Sequence, residues 1–133
     1  NSHVISALIV KFFESKKKNM KFVKCWGNGK PVREFLFVED ACEALIEITK
    51  SYNDIKPLNV GMGKGYSIKK IAEIIKKQIS YNGEIVWDKN MSNGTMKKVL
   101  NNREMLKKIK WRATTDIEKG ISKTISWYSN SKR

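Results

Sequence analysis

Residues 26–40, WGNGKPVREFLFVED, bend the chain and then bury it, and the rest has to be arranged around that bend. Gly27, Asn28 and Gly29, followed by Lys30 and Pro31, spell a turn, because glycine tolerates positive φ and proline fixes its own. Arg33 and Glu34 lead into Phe35, Leu36, Phe37 and Val38, an apolar run of strand formers. Glu39 and Asp40 close it ahead of a helical pattern, with Asp40 placed to cap the helix. The stretch reads as turn, buried strand, helix cap. An arginine at the mouth of such a strand is placed to clamp a phosphate, since guanidinium offers a planar fork of donors, and Trp26 supplies an apolar face nearby. The competing reading is structural: Arg33 pairs with a surface carboxylate and Trp26 belongs to the core.

Either side of this stretch, apolar residues recur at helical and strand spacing in turn. Val4, Ile5, Leu8, Ile9, Phe12 and Phe13 outline a first helix, with Asn1 or Ser2 as its cap and Lys16 to Lys18 at its end, where cations suit the dipole. A strand over 20–26 precedes the glycine turn, and Ala41, Leu45 and Ile48 continue as a helix beyond Asp40. Residues 57–60 read as a brief strand running into a second glycine cluster, GMGKG at 61–65. That cluster lacks the ending of a P-loop and the spacing of a dinucleotide fingerprint, so a structural turn is expected. Ser67 caps an amphipathic helix with Ile68, Ile71, Ala72, Ile75 and Ile79 on one face. A turn at Asn82–Gly83, a strand over 84–87 and a polar loop over 89–95 follow. Leu100, Met105, Leu106 and Ile109 outline a short helix, and Thr115 with Glu118 forms a capping-box spacing ahead of a closing helix.

Strands alternating with helices predict an α/β fold. Their shortness and separation suggest a smaller lobe attached to a larger sheet, with all 133 residues as a single lobe and a cofactor-binding Rossmann lobe absent. No G-x-G-x-x-G follows a strand, so a nicotinamide cofactor, if one is used, has its main site elsewhere, and the sequence reads as a piece of a longer protein.

Charge raises a rival class. Lys and Arg number 27 against 13 Asp and Glu, a formal charge of +14 that suits a polyanion. The lysines are scattered and aromatics do not interleave with them, so a solvated surface is expected ahead of a basic nucleic-acid-binding module. No apolar run approaches the roughly 20 residues needed to span a bilayer, and no signal-peptide layout opens the chain, so a cytoplasmic location is expected. Cys25 and Cys42 have no CxxC spacing and His3 is the single histidine; reduced thiols and no metal site are expected.

Several runs, NSHVISAL, WGNGKPVREFLFVED, PLNVGMGKGYSIKKIAEII, GEIVWD and NGTMKKVLN, together resemble the C-terminal half of the GDP-L-fucose synthases, members of the extended short-chain dehydrogenase/reductases. The resemblance implies a substrate-binding lobe of an NADPH-dependent enzyme that epimerises GDP-4-keto-6-deoxy-mannose at carbons 3 and 5 and reduces its 4-keto group. It implies that the glycine-rich cofactor loop, a Tyr-x-x-x-Lys pair and a catalytic cysteine belong to a preceding lobe, which would bind NADP(H), and that the whole enzyme could be a homodimer. The family's catalytic histidine, which lies near the nicotinamide, falls on His3. Epimerisation beside a ketone needs one group to remove a carbon-bound proton and another to deliver one, which suits an imidazole.

By the same resemblance the GDP-sugar contacts fall on Lys11, Trp26, Arg33, Asn93 and Lys98. Lys11 stands where relatives often carry arginine, keeping the charge without the bidentate fork. Asn93 replaces an acidic sugar-contacting residue, keeping hydrogen bonding but not charge. The alternative within the same chemistry is a reductase or epimerase acting on another GDP-deoxysugar or GDP-heptose.

Overall fold

The computed structural model describes residues 3–131. In chain order the elements are α1 (Val4–Lys17), β1 (Phe22–Trp26), β2 (Val32–Glu34), α2 (Val38–Ser51), β3 (Gly65–Ser67), α3 (Ile68–Ile79), β4 (Glu84–Asp88), β5 (Lys97–Lys98), α4 (Arg103–Lys108) and α5 (Ile117–Asn130). Helices and strands are interspersed and parallel pairing is present, as the α/β reading requires. β1 and β4 run parallel in the register Phe22↔Glu84 to Trp26↔Asp88. β2 is the middle of a second sheet, antiparallel to β3 and parallel to β5, with Arg33 opposite both Tyr66 and Lys98.

α3 forms because its isoleucines recur at helical spacing, Ser67 Oγ accepts from Lys70 N at 3.1 Å, and Ser80 closes it in the left-handed conformation. Its Ile71, Ala72 and Ile75 are fully buried against Ile9 and Phe12 of α1, Val23 of β1 and Ile121 of α5. Each such side chain withdrawn from water contributes about 1.5–3 kcal/mol, so this cluster holds α1, α3 and α5 around β1. Tyr81 packs edge-on against Phe12 at 5.6 Å and donates its hydroxyl to Met20 O at 2.7 Å, tying the end of α3 to the start of β1. A second cluster joins Ala44 of α2 to Met105, Ile109 and Trp111 around α4.

Four expectations change. The strand expected over 35–38 lies earlier, at Val32–Glu34, because those are the residues whose backbone faces β3 and β5. The apolar run instead lies between the two cores, Phe35 packing on the first and Leu36 on the second, and α2 already begins at Val38. Asp40 is therefore not the cap. Phe37 holds that position, and Asp40, 2% exposed, binds the far end of the chain. Residues 57–60 form no strand: Leu58 and Val60 pack against the second core and no strand pairs with them, while Gly65–Ser67, beginning at the last glycine of the cluster, does pair. α5 is capped by Asp116, whose Oδ1 accepts from Lys119 N at 2.8 Å, whereas Thr115 is buried beside Asp40. His3 is the N-cap of α1 without a side-chain bond; the expected caps, Asn1 and Ser2, lie outside the described residues.

Candidate functional site

A cleft of about 510 Å³ opens where the first turns of α1, the end of β1, the glycine turn, β2 and the 92–93 loop converge. Lys11, Trp26, Arg33 and Asn93 all line it, so four of the six residues singled out in the sequence meet in one place. The wall beneath them is apolar, formed by Leu8, Cys25, Pro31 and Ile68 among others.

Each polar side chain is delivered by a different local device. Trp26 is the last residue of β1, whose alternation buries Val23 and Cys25 and leaves Trp26 66% exposed. Lys11, one helical turn beyond Leu8, sets its Nζ 5.5 Å from the Trp26 ring centroid and donates to Lys24 O at 3.1 Å. The turn after Trp26 is held from three sides: Gly27 N donates to Asp88 O, Asn28 N to Asn93 Oδ1 at 2.8 Å, and Gly29 O accepts from Lys69 N. Gly27 and Gly29 both have φ above +70°, and a Cβ at Gly29 would stand 2.7 Å from the Trp87 ring. Asn93 thus spends its carbonyl oxygen on the turn and keeps its amide N–H groups for other acceptors. Arg33 Nη1 donates to Val32 O at 2.8 Å, and Gly94 lies against the rest of the guanidinium.

Burial pushes the Cys25 thiol up, with Lys11 acting the other way. Asp88, at the end of β4, is held below its usual range by the hydrogen bond from Lys24 and then by Asn90 N; its ion pair with Lys24 measures 2.7 Å. That pair adds a side-chain contact to the parallel ladder of β1 and β4, at whose end Trp26 sits.

The two remaining residues are not in the cleft. His3 is exposed and precedes Val4, which lines the cleft, while Lys98 is exposed on β5. Lys98 is nonetheless the register partner of Arg33, and both line an adjoining depression of about 320 Å³ with Glu34 and Leu100. Arg33 therefore faces both hollows. Two contributors had not been singled out as site residues. Cys25 could have been found from the alternation of β1. Glu34, whose carboxylate binds two loops, carries no local signal.

The chain's first 61 residues match the model of the NAD dependent epimerase/dehydratase family. It is 36% identical over 128 residues to a probable GDP-L-fucose synthase 1 of Oryza sativa subsp. japonica, covering 96% of this chain and 39% of that protein. To a GDP-L-fucose synthase of Sinorhizobium fredii it is 37% identical over 131 residues, 98% of this chain and 41% of the relative. The chain is a homologue of part of the GDP-L-fucose synthases. Its fold agrees: a GDP-L-fucose synthetase from Naegleria fowleri superposes with a TM-score of 0.92 at 26% identity, over 98% of this chain and 40% of that one, and has also been solved bound to NADP. The chain spans about two-fifths of the length of these fucose synthase relatives.

Among the described residues neither glycine cluster has the layout of a dinucleotide cradle. The glycine turn after β1 leads into β2, and the 61–65 cluster leads into β3, so neither opens a helix directly after a parallel strand, as a pyrophosphate cradle requires. Among the described residues no group of three or more His, Cys, Asp or Glu side chains is gathered for a metal ion, and no helix is long and apolar enough to cross a membrane.

Proposed function

We propose that this chain is the substrate-binding lobe of an NADPH-dependent GDP-4-keto-6-deoxy-mannose 3,5-epimerase/4-reductase that makes GDP-L-fucose. The observation that carries the reading is the convergence of Lys11, Trp26, Arg33 and Asn93 on one cleft with an apolar floor. Each suits one part of a nucleotide sugar. Arg33 offers its guanidinium fork to the diphosphate, and Lys98, its neighbour across β2 and β5, adds a second cation. Trp26 presents an exposed ring for an apolar face of the ligand, with Lys11 bringing positive charge over it. Asn93, its carbonyl already engaged by Asn28 N, directs amide N–H groups at acceptor oxygens of the sugar.

His3, which precedes the cleft residue Val4 in the chain, serves proton transfer. NADP(H) supplies the hydride and binds chiefly to a cofactor lobe preceding this one, since neither glycine cluster here has the layout of a dinucleotide cradle. The isolated chain therefore binds the nucleotide sugar without reducing it. The whole enzyme works in the cytoplasm.

The test is Arg33→Ala in the full-length protein. Losing a charge-assisted contact to phosphate is worth about 1.5–3 kcal/mol, or roughly a 10- to 100-fold rise in KM for the GDP-sugar. An unchanged KM overturns the assignment.

A further inference from the structure

β5 is too short to hold itself. It pairs with β2 over only two positions, Val32↔Lys97 and Arg33↔Lys98, yet it carries the one cation that stands beside Arg33 in register. Strands this brief depend on what fastens their ends. At one end, Val32 N donates to Met96 O at 2.8 Å. At the other, Leu100 N donates to Glu34 Oε2 at 2.7 Å. The same carboxylate reaches the opposite loop, where Gly63 N donates to Oε1 at 2.9 Å. Gly61 makes this possible, because a Cβ there would collide with Oε1. Asn102 Nδ2 donates to Gly61 O at 3.1 Å, tying that loop to the start of α4. Glu34 forms no ion pair with Arg33 or Lys98; both oxygens are taken by backbone N–H groups, and both cations keep their charge for a ligand.

We propose that Glu34 is a positioning residue: by clamping Leu100 and Gly63 to β2 it holds Lys98 beside Arg33, so that the two cations act as a single diphosphate-binding pair. The inference rests on the nucleotide-sugar reading above and adds to it the group that assembles the site. A carboxylate is required because it accepts on both oxygens. Glutamine accepts on one and sets an N–H against the other donor.

The experiment is a double-mutant cycle on GDP binding, measured by isothermal titration on the full-length protein with Glu34→Gln, Lys98→Ala and the pair together. Glu34→Gln is expected to weaken GDP binding roughly 5- to 20-fold. Added to Lys98→Ala it should weaken binding little further, because its effect runs through Lys98. Losing Lys98 lowers the salt slope of binding, and Glu34→Asp, which keeps the negative charge but shortens the reach, should lower it in the same direction. A merely structural role would give losses that multiply and a salt slope left at the wild-type value; either result overturns the proposal. If Glu34→Gln does not fold, Glu34→Asp, which keeps the charge but falls short of spanning both loops, enters the same cycle under the same criteria. Arg33→Ala is the control for the underlying reading. If Arg33→Ala leaves GDP affinity unchanged, the site assignment itself has failed. If Arg33→Ala and Lys98→Ala weaken binding and Glu34→Gln does not couple to Lys98, only the role of Glu34 has.

Discussion

Replacing Asp40 with asparagine changes one atom of a buried side chain and removes a clamp between the start of α2 and the segment before α5. Asp40 is 2% exposed. Its Oδ1 accepts from Thr114 N at 3.3 Å and Thr114 Oγ1 at 3.2 Å, and its Oδ2 from Thr115 N at 3.1 Å. Asparagine can still accept on one side, but on the other it turns an N–H toward an N–H that has no water to go to. Losing that bond and weakening the others from charged to neutral should cost about 2–3 kcal/mol, a fall in Tm of about 6–10 °C for a chain of this size. The loss should depend on pH. Desolvation works to raise the Asp40 pKa, but the bonds from Thr114 and Thr115 outweigh it and the net shift is downward. A carboxyl whose pKa is lower folded than unfolded stabilises fully above its unfolded value of about 3.9, and that contribution is lost as pH falls through the folded value. Thermal unfolding of wild type and Asp40→Asn, followed by circular dichroism at pH 7 and again near pH 2.5, should show a wide gap at the first pH and a narrower one at the second. A gap under about 2 °C at pH 7 would refute the clamp. A gap of equal size at both pH values would refute the charge-based account of it.

Two further outcomes follow from particular residues. Gly29→Ala should destabilise more than Gly94→Ala: both glycines have positive φ, costing an alanine about 1–2 kcal/mol, but at Gly29 the new methyl also meets Trp87 at 2.7 Å, whereas at Gly94 the nearest atom is Arg33 Nη2 at 3.6 Å. Equal losses in urea unfolding would show that the Trp87 contact yields freely. With a disulfide reagent near pH 8, Cys42 should react at once, while Cys25, buried and with its thiol pKa raised by that burial, should react only on unfolding, so two rapid equivalents would mean that β1 opens readily.

What the sequence made legible was governed by neighbours a few residues apart. α3 and its Ser67 cap could be read directly, because the isoleucine spacing and the hydroxyl are both local. So could the Gly27–Gly29 turn and the alternation of β1. β2, β3 and β5 could not be placed from the pattern, since three- and two-residue strands offer no period and exist only through partners far along the chain. The apolar run 35–38 looked like the strand for that reason, being longer and more hydrophobic than the three residues that do pair. The stretch 26–40 by itself set Trp26 beside Arg33, but Lys11 and Asn93 lie far from it and nothing in their own surroundings marks them as companions; the family resemblance named those two, and the fold supplied the cleft.

Asp40, which the sequence placed as a cap, and Glu34, to which it gave no role, share a physical reason for being where they are. Asp40 looked like a local helix cap and Glu34 like a lead-in to the apolar run, yet Asp40 accepts from Thr115 N 75 residues away and Glu34 from Leu100 N 66 residues away. Short strands and the loops around them end in N–H groups that neither sheet nor helix satisfies, and left buried or half-buried these are costly. A carboxylate with two free oxygens answers two of them at once and fixes two segments to one point. In a fold with strands this short, such side chains take over part of the work that long ladders do in a larger sheet. If the proposed reading of Arg33 holds, the acid next to it serves the architecture of the site, its two oxygens engaged by the N–H groups of Gly63 and Leu100 instead of by a cation.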